Sequence, residues 1–177
     1  GLVANDFFSS SVAMSGDKLA VGARGDDGDV LELGAVYTYQ FTGGAWMLDD
    51  TVLRPDGLGT GDYFGISAAM SNNSLAVGAT GDEINAGAVY TYQFNGSAWI
   101  LDGTVLRPGD LDTSDYFGGS VTMSDDKLIV SAHGDDTINP DAGAVYTYRD
   151  LGVTNGPTAN PTVSPTGHPT ASPTTSP

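Results

Sequence analysis

Three stretches of this chain are copies of one another, and a repeat limits the possible folds more tightly than composition does. NDFFSSSVAMSGDKLAVGARGDDGDVLELGAVYTYQF is followed by GDYFGISAAMSNNSLAVGATGDEINAGAVYTYQF and then by SDYFGGSVTMSDDKLIVSAHGDDTINPDAGAVYTYRD. Asp6, Asp62 and Asp115 are equivalent, at spacings of 56 and 53 residues. Trp46 and Trp99 match at 53, within AWMLDDTVLRP and AWILDGTVLRP. The difference of three residues falls in one acidic loop, so the scaffold is constant and the loop is not.

Within each unit the apolar residues alternate. Val12 and Met14 share one side of a first short run, and Leu19, Val21 and Ala23 share one side of a second. In a third, Val36, Thr38 and Gln40 alternate with Tyr37, Tyr39 and Phe41. Runs of this length with period two predict β-strands. SGDK, SNNS and SDDK link the first two strands, and TGG and NGS link the third to the fourth. Asn and Gly tolerate the positive φ of such hairpin turns. The AWxLD…TVLRP run supplies a fourth strand, and no segment reads as a helix.

Four-stranded units of ~50 residues that cannot bury both faces alone are the sequence form of β-propeller blades. Gly22-Ala23, Gly78-Ala79, Gly34-Ala35, Gly87-Ala88 and Gly143-Ala144 would let backbones approach where blades meet. The units resemble FG-GAP repeats, the blades of integrin α-chain propellers and of many microbial and algal extracellular proteins. Phe64-Gly65 and Phe117-Gly118 supply the FG, and the three GAVYTY segments match the microbial versions; unit one has Phe8-Ser9 instead. The resemblance implies an all-β domain over residues 1–151, with blades at about 5–56, 57–110 and 111–150, and segment 152–177 as a separate tail. The third blade is expected to be incomplete, since no AWxLDGTVLRP follows GAVYTYRD. Three blades fall short of a closed ring, which generally takes four to eight. The missing faces and strand are therefore expected from the rest of a longer chain or from copies of the same chain, and head-to-tail repetition would build a fibre.

Acidic loops are the main candidate sites. GDDGDVLELGA and GDDTINPDAGA align Asp26 with Asp135, Asp27 with Asp136, and Glu32 with Asp141. Clustered hard oxygen ligands suit Ca²⁺, and the resemblance implies Ca²⁺ in this loop; solvated acidic loops are the plainer alternative. Arg24-Gly25-Asp26 spells the tripeptide that integrins read. Its equivalents are Thr80-Gly81-Asp82 and His133-Gly134-Asp135, so the repeated element is x-Gly-Asp and the arginine is incidental. Recurrence of Asp6, Asp62 and Asp115 points to turn hydrogen bonds, that of Arg54 and Arg107 to ion pairs or cover for a ring, and that of the tryptophans to packing between blades.

Nothing points to an enzyme. Neither His133 nor His168 recurs, no cysteine is present, and the repeat scatters its carboxylates over several loops. With 22 acidic and 6 basic side chains, a formal net charge of −16 disfavours nucleic acid and anionic membranes as partners. No stretch is long and apolar enough to span a bilayer.

The segment PTANPTVSPTGHPTASPTTSP, Pro157–Pro177, has a proline at every fourth position. Proline at that density excludes helix and sheet and favours extended polyproline II, on the order of 65 Å long at ~3.1 Å per residue. Ser/Thr-rich sequence with proline is the composition of O-glycosylated stalks. Candidate acceptors are Thr158, Thr162, Thr166, Thr170 and Thr174, with Ser164, Ser172 and Ser176. Asn72 and Asn95 head N-x-Ser sequons in predicted turns. The chain is thus expected to be an extracellular structural glycoprotein, a subunit of a fibre or cell-surface assembly with covalent glycans. The alternative is an adhesion or ligand-binding module on a glycosylated stalk.

Overall fold

The computed structural model describes residues 2–26, 32–49, 51–137, 139–140 and 142–149. The Pro/Thr segment and its candidate acceptors lie outside them, as do Asp27 and Asp141. Three antiparallel meanders carry the fold, in chain order. Blade one contains β1 (Phe8–Ser15), β2 (Lys18–Ala23), β3 (Ala35–Thr42) and β4 (Ala45–Leu48). Blade two contains β5 (Ser67–Ser71), β6 (Ser74–Ala79), β7 (Ala88–Phe94) and β8 (Trp99–Leu106). Among the described residues, blade three has three strands: β9 (Phe117–Ser124), β10 (Lys127–Ala132) and β11 (Ala144–Tyr148).

The tight turns form as their residues dictate, with Gly16, Asn72 and Asp125 at positive φ between the first two strands of each blade. The fourth strand differs between copies. In blade two it is continuous, with one register shift opposite Tyr90 and Tyr92. In blade one β4 pairs with β3 from Tyr39–Leu48 to Thr42–Ala45, and the ladder resumes as a single bridge between Val36 and Leu53. One helical turn, Asp82–Asn85, stands in the shortened acidic loop against the expectation of none. Glu83, Ile84 and Asn85 all take left-handed φ there. This turn directs the Asn85 carbonyl to the Tyr116 N–H at 3.0 Å, and the Glu32 carbonyl does the same for Tyr63 at 3.2 Å.

The core lies between blades. Ala13, Ala20, Val36 and Leu53 of blade one pack with Phe64, Met70, Leu75, Val77, Tyr90, Tyr92 and Trp99 of blade two. Ala76 and Val89 of blade two likewise meet Phe117, Leu128, Val130, Tyr146 and Tyr148 of blade three. Every junction therefore sets a bulky aromatic face on a flat face of alanine and valine. Phe64 and Phe117 lie edge-on to Tyr90 and Tyr146, at 5.3 and 5.2 Å between centroids, a favourable ring geometry.

Backbone contact explains why the flat face is flat. A Cβ on Gly22 would lie 2.0 Å from the Gly65 carbonyl oxygen, and one on Gly78 would lie 2.1 Å from that of Gly118. The Ser11 hydroxyl donates to the Gly65 carbonyl at 2.8 Å, and Ser67 to Gly118 at 2.6 Å. Glycine is also demanded on the opposing side: Gly65 has φ +89°, and a Cβ there would stand 2.6 Å from the Ala35 carbonyl oxygen. Gly143, by contrast, approaches only atoms of its own blade. The two outer faces break both rules. Ser9 replaces the FG glycine on blade one, and Ser131 replaces Gly22 and Gly78 on blade three, where Ile129 also replaces Ala20 and Ala76. Phe8 is accordingly 39 % exposed and Ile129 42 %, while Phe64 and Ala76 are fully buried.

Candidate functional site: a carboxylate latch in each blade

Each x-Gly-Asp turn lies against the start of its own blade. The N–H groups of Gly25, Gly81 and Gly134 donate to the carbonyls of Asp6, Asp62 and Asp115, each at 3.1 Å. A Cβ on Gly81 would lie 1.7 Å from the Gly61 carbonyl oxygen, so the turn needs glycine for closeness, not for display. The Asp62 and Asp115 carboxylates accept the N–H three residues back, at 2.6 Å from Gly59 and 2.7 Å from Asp112. Asp6 does the same with Val3. These aspartates are turn-forming groups, as their recurrence suggested. Burial raises the Asp62 and Asp115 carboxyls above the usual range; backbone hydrogen bonds oppose the shift, and neighbouring Asp82 and Asp135 add to it.

The aspartate ending each turn is the centre of the site. Asp26, Asp82 and Asp135 are all buried. Each accepts a phenol: Tyr37 donates to Asp26 at 2.5 Å, Tyr90 to Asp82 at 2.6 Å and Tyr146 to Asp135 at 2.7 Å. In blades one and two an arginine just past the fourth-strand ladder closes the latch. Arg54 pairs with Asp26, and one guanidinium nitrogen of Arg107 reaches both oxygens of Asp82 at 2.8 and 2.9 Å. The Arg107 guanidinium also lies 5.8 Å from the Tyr90 ring centroid. Burial, and then the bond to Asp26, pushes the Tyr37 phenol up to about 12. The same causes raise Tyr90 and Tyr146 further.

Blade three keeps the aspartate and the tyrosine but has no arginine strand among the described residues. Asp135 instead accepts the Thr137 N–H at 3.0 Å. Burial opposes its ionisation, yet the bonds from Tyr146 and Thr137 hold its carboxyl below the usual range.

This network accounts for several candidate residues. The adhesive tripeptide is not displayed, because Asp26 is buried under Tyr37 and Arg54. Arg24 lies over the rings of Phe7 and Tyr63, 4.4 and 5.7 Å from their centroids. Of the Ca²⁺ candidates, Asp26 and Asp135 face inward into the latch. Glu32 turns to the next blade, where it accepts the Tyr63 hydroxyl at 3.0 Å, and Asp136 is exposed. Among the described residues no three His, Cys, Asp or Glu side chains converge as a metal shell.

Trp99 is buried against Phe94 at 5.3 Å between centroids, whereas Trp46 meets Phe41 on the open face of blade one. A groove of about 560 Å³ runs between the outer strands of blades one and two, lined by Gln40, Asp49, Thr51, Ile100 and others. Thr38 and Trp99 also line it, and their Oγ1 and Nε1 are buried without a hydrogen-bond partner. The latch itself was missed as a unit in the sequence. Its signal was present, because Asp, Tyr and Arg recur in two units while only Asp and Tyr recur in the third.

Among the described residues no helix is long and apolar enough to cross a membrane. No curated protein matches the chain. The FG-GAP repeat model matches residues 2–39, 46–92 and 103–148, and its second and third matches begin at or within the fourth strand of the preceding blade. Repeats of this kind are typical of extracellular proteins. With well over half of its length in three in-register matches, the chain belongs to the FG-GAP repeat family.

Proposed function

We propose that this chain is the blade-bearing part of an extracellular surface glycoprotein, a non-enzymatic recognition head on a glycan-coated Pro-Thr rod. The observation that carries the reading is the pairing of an FG-GAP blade stack with a tract of proline tetrads rich in Ser and Thr. The groove between the outer strands of blades one and two supports a head that binds a ligand, since it brings Leu48, Leu53 and Ile100 together with Gln40, Asp49 and Thr51. Asn72 and Asn95 add acceptor sites, both exposed in hairpin turns. Asn95 Oδ1 already accepts the Ser97 hydroxyl at 3.0 Å. Intact mass before and after enzymatic deglycosylation tests the rod: a ladder of hexose-sized losses supports it, and an unchanged mass overturns it.

A fibre subunit is the second reading, favoured by the apolar side chains left open on blade one. Ser9 and Ser131 oppose stacking copies in the register of the internal junctions, so a fibre would cover these side chains through a different contact. Negative-stain microscopy of native material separates the two, since filaments would favour the fibre and discrete particles the head. Ca²⁺ belongs to the proposal through Asp27, Asp136 and Asp141, which share the acidic loop sequences with Asp26 and Asp135. Calorimetric titration with no heat and no gain in melting temperature would remove it.

A further inference from the structure

We propose that Asn95 is a self-modifying residue: the tip of the β7–β8 hairpin promotes attack of the Gly96 nitrogen on the Asn95 carboxamide, which turns asparagine into aspartate and isoaspartate. The carboxamide oxygen is ringed by donors. The N–H groups of Ser97 and Ala98 and the Ser97 hydroxyl all donate to Asn95 Oδ1, each at 3.0 Å. That is the spacing at which fixed donors stabilise an oxyanion. The turn is held in place, because the Asn95 N–H donates to the Ala98 carbonyl at 3.0 Å and Phe94 pairs with Trp99 directly behind it. The nucleophile is free: among the described residues no acceptor takes the Gly96 N–H. Gly96 has φ +100°, with nothing within 4 Å of the place a Cβ would take, so no side chain obstructs ring closure. Asn95, Gly96, Ser97 and Ala98 are all exposed, and water and ammonia pass freely.

The Gly96 N–H gives its proton to solvent hydroxide as the nitrogen bonds to Asn95 Cγ. Negative charge develops on Oδ1, where the three donors already point. Collapse of this tetrahedral centre breaks the Cγ–Nδ2 bond, and Nδ2 takes up a proton and leaves as ammonia. Water then opens the succinimide ring, giving aspartate by attack at Cγ and isoaspartate by attack at the main-chain carbon. One amide and one water become one carboxylate and one ammonium, with no change of oxidation state. Other asparagines lack the set. Asn5, Asn72, Asn73 and Asn85 precede Asp6, Asn73, Ser74 and Ala86, whose side chains obstruct ring closure, and the Glu83 carbonyl takes the Ala86 N–H. Conversion adds a negative charge four residues before Gly103 in the outer strand's hairpin and erases the sequon at Asn95. A glycan on Nδ2 would block the departure of ammonia, so the reaction belongs to chains whose Asn95 is bare. Hairpin geometry supports it whether or not the protein is a glycoprotein.

The full chain, produced in a host that adds no N-glycans, is incubated at mildly alkaline pH, either folded or in urea. Peptide mass spectrometry then follows each asparagine, with isoaspartate detected by an isoaspartyl methyltransferase. Mapping separates Asn95 from Asn155-Gly156, which lies outside the described residues. Asn95 is expected to convert at least about 3-fold faster in the folded chain than in urea, with Asn72 unconverted over the same time. Ser97→Ala should slow the folded chain about 3–10-fold, less than loss of a donor costs in a closed active site because water competes at an exposed turn. Ser97→Thr, which keeps the hydroxyl, should restore the rate. An Asn95 that does not convert, that converts as fast or faster in urea, or that is indifferent to Ser97→Ala would overturn the proposal. The comparison of folded and unfolded chain stays decisive even if Ser97→Ala disturbs the turn.

Discussion

Asp82 shows what one carboxylate does here. It accepts a phenol and a guanidinium at once, joining the turn after β6 to β7 and to the end of β8. Removing the guanidinium leaves a buried charge held by one hydroxyl. Arg107→Gln is expected to cost about 2–3 kcal/mol by denaturant titration, below the ~3–5 of a fully buried pair because the side chain is 32 % exposed. Arg107→Lys should recover part of that, since an ammonium keeps the charge without the planar fork. The tyrosines give a second expectation. Tyr37 has its pKa raised from 10 to about 12 in the folded state. Between those values the unfolded chain has shed a proton that the native chain keeps. Stability from this group is full below pH 10 and is lost as pH rises through about 12. Tyr90, Tyr92, Tyr146 and Tyr148 are shifted further in the same direction. Phenolate absorbance near 295 nm from these five tyrosines should therefore rise late and together with unfolding; early, independent titration of Tyr37, Tyr90 and Tyr146 would contradict the latch.

At the scale of elements, the strands and hairpins were legible because alternation and turn chemistry are local. Val12, Met14, Leu19 and Val21 fall in β1 and β2 as read, and the Gly16 and Asn72 turns take the positive φ their residues allow. The left-handed turn at Glu83–Asn85 was not legible, because glutamate and isoleucine carry no preference for that region. Tertiary demand places them there, as the loop must deliver the Asn85 carbonyl to Tyr116. Asp26 could be found in the sequence but its role could not, since partner and ligand both call for a carboxylate. Gly78 gives the test at this scale. Gly78→Ala is expected to destabilise by about 2–4 kcal/mol, because its methyl meets the Gly118 carbonyl. Ser131→Gly at the matching position should cost under about 1 kcal/mol by denaturant titration, as no further blade lies against it among the described residues and only the exposed Ser120 N–H loses its hydroxyl acceptor.

Across the whole molecule the three units are alike inside and different outside. Each departure from the repeat that matters for stacking, Ser9 at one end and Ile129 and Ser131 at the other, lies on an outer face. Restoring the pattern should make the faces compatible. The triple variant Ser9→Gly, Ile129→Ala, Ser131→Gly is expected to associate head to tail, with mass by light scattering rising with concentration, while the unaltered chain shows no growth by that route. Equal behaviour of the two would mean that blade faces do not govern assembly.

The glycine that both internal junctions need, and that Ser131 withholds, also acts on how such a gene can change. A tandem copy of residues 57–110 carries its own FG glycine and its own Gly78, so it brings a compatible face to each side and lengthens the stack by one. A tandem copy of residues 111–150 would set a phenylalanine and glycine against serine and isoleucine, and the added unit would find no seat. One hydroxymethyl group thus separates a unit that can be copied in tandem from one that cannot.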